Sequence, residues 1–118
     1  MFCSGLRKGS LAWLGALFQS LVTLCVRVYA QASEAQIGHL RTWSGDREVN
    51  LIVERGRQIV AFEVKLGQVV DDRDVRQLVW LRNELGDDLA DAAVITTGRA
   101  AYRRADGIAV IPAALLRP

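Results

Sequence analysis

Between Leu11 and Val26 the apolar residues recur at three- and four-residue spacing, with Leu14, Leu17, Phe18, Leu21, Val22 and Cys25 on one broad stripe. This period predicts an amphipathic helix packed on a core, with Ser10 placed to cap its start. The period then changes to two. Residues 36–43 suit an edge strand that ends in the turn residues Ser44, Gly45 and Asp46. Over 47–54, Val49, Leu51 and Val53 alternate with Glu48, Asn50, Ile52 and Glu54, predicting a strand with the first three on one face. Arg55-Gly56-Arg57 marks a hairpin turn. In the following strand, 58–66, Val60, Phe62, Val64 and Leu66 share one face and Ile59, Ala61, Glu63 and Lys65 the other.

The second half returns to the helical period. Asp71, Asp72 and Asp74 complement the dipole at the start of a helix that runs to about Leu85, with Val75, Leu78, Val79, Leu81 and Leu85 on its apolar side. Gly86 suits its C-terminal cap. Ala92–Thr96 reads as a buried central strand and Ile108–Ile111 as a shorter one, after which Pro112 opens a last helical turn. The order α-β-β-β-α-β-β predicts an α/β fold, a mixed sheet flanked by helices. Residues 1–10 are expected to form a flexible N-terminus and 11–118 a single domain.

Composition narrows the class only a little. The 118 residues are 51% hydrophobic and 24% charged, which is ordinary usage for one globular domain with a core of its own. A net charge of +2 is too small to argue for nucleic acid. Arg55 with Arg57, and Arg99 with Arg103 and Arg104, form local basic clusters that suit either phosphate contacts or a solvated surface. Cys3 and Cys25 make neither a disulfide framework nor a zinc site, so a reducing, cytoplasmic compartment is expected. The first 32 residues also imitate a secretory signal: Arg7 and Lys8 precede the apolar run, and Ala30-Gln31-Ala32 sits where cleavage would fall. Gln19, Ser20 and Thr23 interrupt that run and Arg27 follows it, which favours a core helix and leaves a small secreted protein as an alternative. The run is also shorter than the ~20 apolar residues of a membrane span, so no membrane partner is expected.

Candidate chemistry centres on Glu63 and Lys65, which project together from one strand, with Asn50 and Glu48 beside them on the preceding strand. An acid and a lysine in that setting are either a cross-strand ion pair on a solvated face or part of a site. His39, the single histidine, suits a general base or a solvated strand position. Trp13, Trp43 and Trp80 are scattered in a way that suits packing better than base stacking.

Several segments together resemble a known family: Gly15-Ala16-Leu17-Phe18, Tyr29-Ala30-Gln31, His39-Leu40-Arg41-Thr42, Gly45 to Glu54, Glu63-Val64-Lys65 and Thr96-Thr97-Gly98. In this order, over residues 12–117, they look like an uncharacterised domain at the C-terminus of bacterial and archaeal AAA-type ATP-binding proteins. Its core is similar to the PD-(D/E)XK, or restriction-endonuclease-like, nucleases. The resemblance implies a divalent-cation phosphodiesterase site, with Glu63 and Lys65 as the catalytic pair and Glu63, Val64, Asn50 and Glu48 around the metal. Two positions depart from the pattern. Asn50 stands where the family has an aspartate, and Gln19 where the first helix carries a glutamate. Both replacements keep the shape and remove a negative charge, so magnesium or manganese binding is expected to be weak. Glu48 is the one candidate substitute. Gln77 occupies the glutamine position of a Gln-x-x-x-Tyr motif, but Leu81 stands four residues on, leaving the motif incomplete and Gln77 facing solvent.

The resemblance therefore implies a degenerate nuclease-like domain, a catalytically inactive nucleic-acid or protein interaction module. A weak Mg- or Mn-dependent DNA endonuclease is the alternative. Candidate partners are DNA, an AAA-type ATPase, or a second copy of the chain. No Gly-x-x-x-x-Gly-Lys-Ser/Thr loop is present, so no ATP site is expected, and the chain reads as a stand-alone, shortened relative.

Overall fold

A computed structural model describes residues 8–42, 45 and 47–116, with side chains described from residue 17 onward. Cys3, Trp43, Ser44 and Asp46 lie outside the described residues, as do the side chains of Ser10, Trp13 and Leu14. The chain runs α1 (Lys8–Ala32), β1 (Gln36–Arg41), β2 (Glu48–Arg55), β3 (Gln58–Lys65), α2 (Asp72–Leu85), β4 (Leu89–Thr96), β5 (Tyr102–Arg103) and β6 (Ala109–Pro112). Short 3-10 turns follow α2 at Gly86–Asp88 and β6 at Ala113–Leu116. The six strands form one sheet in the order β1-β2-β3-β4-β6-β5. The β1-β2-β3 meander is antiparallel, β3-β4 and β4-β6 are parallel, and β5 returns antiparallel along β6.

Local chemistry accounts for the joints. Asp71 caps α2: its carboxylate accepts from the Arg73 and Asp74 N–H groups, while Asp74 accepts from the Asp71 N–H at 2.8 Å, a reciprocal capping box. Gly86 ends the helix at φ 56°, with its N–H donating to the Arg82 carbonyl. The β2–β3 hairpin turns through Gly56 and Arg57, and Gly56 at φ 62° takes the first of the two turn positions, where a type II′ turn requires a positive φ.

Each face of the sheet is covered by one helix, because successive strand residues alternate between two cores. On one side α2 places Val75, Leu78 and Leu81 against Val49, Ala61, Ala92, Val94, Ile108 and Val110. On the other, Val22 and Val26 of α1 pack on Leu51 and Ile95, with Phe18, Val53, Phe62 and Val64 around them. Among the described residues no helix is long and apolar enough to cross a membrane.

Three expectations change. The first helix begins at Lys8, so Ser10 lies inside it rather than at its cap. It also continues through Ala30-Gln31-Ala32, where Ala30 is 4% exposed, so the apparent cleavage motif is part of a packed helix. Its core stripe is Phe18, Val22, Val26 and Ala30, whereas Leu17 and Leu21 are exposed, because the apolar residues occupy two sides of the helix rather than one. Finally, Val49 does not share a face with Leu51 and Val53: it belongs to the α2 core and they to the α1 core. The cause is a β-bulge. Ile52 pairs with Gly38 and Val49 with Leu40, so Asn50 and Leu51 together face the single residue His39.

The open question over the late arginines also closes for two of them. Arg103 grips Asp91 with two 3.0 Å bonds, and Arg104, largely buried, bonds the Val70 carbonyl, Asp72 and Asp106. These guanidinium groups tie the β5–β6 turn to α2 and β4.

Leu78 is fully buried against the sheet. We expect Leu78→Ala to lower unfolding free energy by about 2–5 kcal/mol in urea titrations. Leu115→Ala, at a position 64% exposed, is expected to change it by less than about 0.5 kcal/mol.

Candidate functional site

The bulge determines what Asn50 does. Regular β2–β3 pairing stops at Leu51–Phe62, and one step further side-chain bonds replace the ladder. The Asn50 N–H donates to the Glu63 carboxylate at 3.2 Å, and the Asn50 carboxamide oxygen accepts from the Val64 N–H at 2.9 Å. Each strand thus satisfies a backbone group of the other through a side chain. Glu63 and Asn50 lie together as the sequence spacing suggested, joined by this exchange rather than by a shared ligand.

Glu63 is half-buried, and that burial pushes its carboxyl up from an ordinary value of 4.5 to about 7. The Asn50 N–H opposes the rise and the nearby Glu48 charge adds to it. Lys65, on the same strand, does not pair with Glu63. Its ammonium meets the Asp74 carboxylate at the first turn of α2, the same oxygen that accepts the Asp71 N–H. Asp74 is the residue that sequence reasoning missed, since it had registered only as a dipole-complementing acid. Its capping-box position was the available signal.

On the α1 side of the bulge lies a polar hollow of about 340 Å³, lined by Gln19, Thr23 and Arg27 of α1, Ile37, Gly38 and His39 of β1, and Glu48, Asn50 and Leu51 of β2. The fold therefore brings Gln19, Glu48 and Asn50 to one place. Besides Asn50, two of the lining side chains have partners of their own. The Thr23 hydroxyl donates to the Gln19 carbonyl at 2.8 Å, and Glu48 pairs with Arg41 at 3.5 Å on the exposed edge. His39 is exposed at the rim. Gln77 departs from expectation: its amide oxygen is buried without a hydrogen-bond partner, three residues beyond Asp74 on α2, rather than turned to solvent.

The Thr96-Thr97-Gly98 segment acquires a role as the clasp behind Lys65. The Gly67 N–H donates to the Thr97 hydroxyl at 2.9 Å and the Gly98 N–H to Thr96 Oγ1 at 3.0 Å. A Cβ at Gly98 would stand 3.4 Å from the Gln68 backbone and 3.2 Å from Thr96 Oγ1, which explains the glycine.

The residues present do not suit a hard divalent cation. Asn50 spends its carbonyl oxygen on Val64, Glu63 accepts from the Asn50 N–H, and Gln19 brings no charge. Among the described residues no three His, Cys, Asp or Glu side chains converge to hold a metal.

Fold and site define a mixed α/β domain with a polar notch at a bulged strand. Residues 14–116 match the model of a family described as a domain of unknown function (DUF4143), and the chain belongs to that family. No curated protein matches the chain, and no solved structure does.

The raised Glu63 pKa fixes a sign. Between about pH 4.5 and 7 the folded chain holds a proton that the unfolded chain has released, so this contribution to stability is full below 4.5 and declines as pH rises toward 7. Glu63→Gln keeps an oxygen for the Asn50 N–H and removes the titration. In urea titrations from pH 4.5 to 8, the variant is expected to gain on the wild type as pH rises, by at most roughly 3 kcal/mol.

Proposed function

We propose that this chain is a non-catalytic interaction module built on a PD-(D/E)XK nuclease-like core whose cation site has decayed. The observation that carries the reading is the exchange between Asn50 and β3. The side chains at the two positions where such a site needs free carboxylate oxygens are bound to each other's strand. Three further features support it. The Glu-Val-Lys tripeptide lies on a central strand beside the bulged one, Gln19 faces the same hollow from the first helix, and Lys65 is held by Asp74. A nuclease lysine has to reach the scissile phosphate or its attacking water. Here that ammonium is engaged at the start of α2.

The partner in this reading is a macromolecule, and a protein is favoured over DNA. Arg103 and Arg104 pair with Asp91, Asp72 and Asp106 of the same chain, which leaves less of the late basic cluster for phosphate binding. An AAA-type ATPase encoded with or near such a domain is one candidate class, on the strength of the resemblance alone.

Thermal unfolding with and without manganese tests the site reading. The wild type is expected to be unmoved by millimolar Mn²⁺, whereas Gln19→Glu/Asn50→Asp gains about 5 °C at tenfold excess over its dissociation constant. Adding Glu63→Ala to that background removes the gain. A wild type stabilised as strongly as the double variant would overturn the proposal, since Glu63 with Glu48 would then hold the ion. DNA cleavage by wild type, lost in Glu63→Ala and Lys65→Ala, would establish the endonuclease alternative.

A further inference from the structure

Helix α1 has a second apolar face, which the domain leaves uncovered. Leu17, Leu21, Leu24 and Val28 are 42%, 54%, 59% and 47% exposed, whereas Val22, Val26 and Ala30 are buried beneath the helix. The spacing of the exposed set is four, three, four, the a/d repeat of a coiled-coil seam. At about 100° per residue the four fall within an arc of about 60°, centred roughly opposite the buried set. So narrow a stripe suits one facing helix better than a broad core.

We propose that this stripe is a homodimer interface, in which α1 of one copy packs along α1 of a second copy of the chain. A twofold contact requires a surface that complements itself, and an a/d seam does so with the same residues on both sides. Area supports the same occupant. Four half-exposed Leu and Val side chains make an apolar patch of about 300–400 Å², as large as a monomer usually shows. Two such patches bring about 600–800 Å² of apolar surface together, the scale of a weak and reversible interface. Charge offers no obstacle, because Arg27 is the single charged residue between Leu17 and Val28. In the antiparallel register that sets Leu21 against Leu24 of the second copy, Arg27 lies opposite Phe18 rather than another arginine. The proposal does not depend on the cation-site reading, since Gln19 faces the hollow on a different side of α1.

Sedimentation velocity on the full chain, from about 1 to 200 µM, tests it. The wild type is expected to pass from monomer to dimer across this range, and Leu21→Glu/Leu24→Glu to stay monomeric with its dissociation constant raised at least ~100-fold. Circular dichroism checks that the variant is folded. If it is not, Leu24→Gln takes its place, and a weakened dimer in that variant supports the seam. A wild type that remains monomeric at 200 µM overturns the proposal and leaves the stripe to a different polypeptide. A dimer that survives a folded seam variant overturns it as well.

Discussion

At the point where β2 parts from β3, backbone pairing is handed over to side chains, and the rest of the site follows from that handover. The extra residue in β2 at Asn50–Leu51 breaks the regular ladder and would leave two N–H groups without partners beside the core. Unpaired backbone donors in such a place cost about 1–3 kcal/mol each. Asn50 and Glu63 remove both costs at once, the first by accepting from Val64 and the second by accepting from Asn50. The bulge also sends Val49 into the α2 core and Leu51 into the α1 core, so it anchors the sheet to both layers.

Polar groups near this point serve the fold first. Asp74 closes the capping box of α2 and holds Lys65, which couples the start of a helix to the end of the strand before it. The Thr96-Thr97-Gly98 clasp fastens the same strand end from the other side. Asp74 thus holds the Lys65 side chain while Thr97 holds the backbone two residues on, at Gly67.

Much of the fold was legible because it rests on local rules. Period-two alternation gave β2 and β3, the run of aspartates and Gly86 gave both ends of α2, and the unbroken apolar run Ala92–Ile95 gave the central strand. The site was half legible. Glu63, Lys65, Asn50 and Glu48 stood out by residue type and spacing and Gln19 only through the family resemblance, and the fold gathers Gln19, Glu48 and Asn50. The remainder depends on contacts that no local pattern encodes. A one-residue bulge is invisible to alternation, the two-residue exposed strand β5 carries no periodic signal, and the Lys65–Asp74 pair is set by how α2 lies over β3. Two apolar faces on one helix blur its period, which is why Leu17 and Leu21 were assigned to the wrong side.

The amide at position 50 bears on how easily the chain could change over evolutionary time. An aspartate there would accept from Val64 equally well, but it would add a negative charge beside Glu63 and Glu48, two acids already close enough to raise one pKa. Without a counter-ion that third charge is a net cost, whereas the amide keeps the bond and avoids the repulsion. Selection for stability alone thus holds Asn50 in place. A change to a carboxylate is uphill unless a cation, or a second change that removes a neighbouring charge, arrives with it.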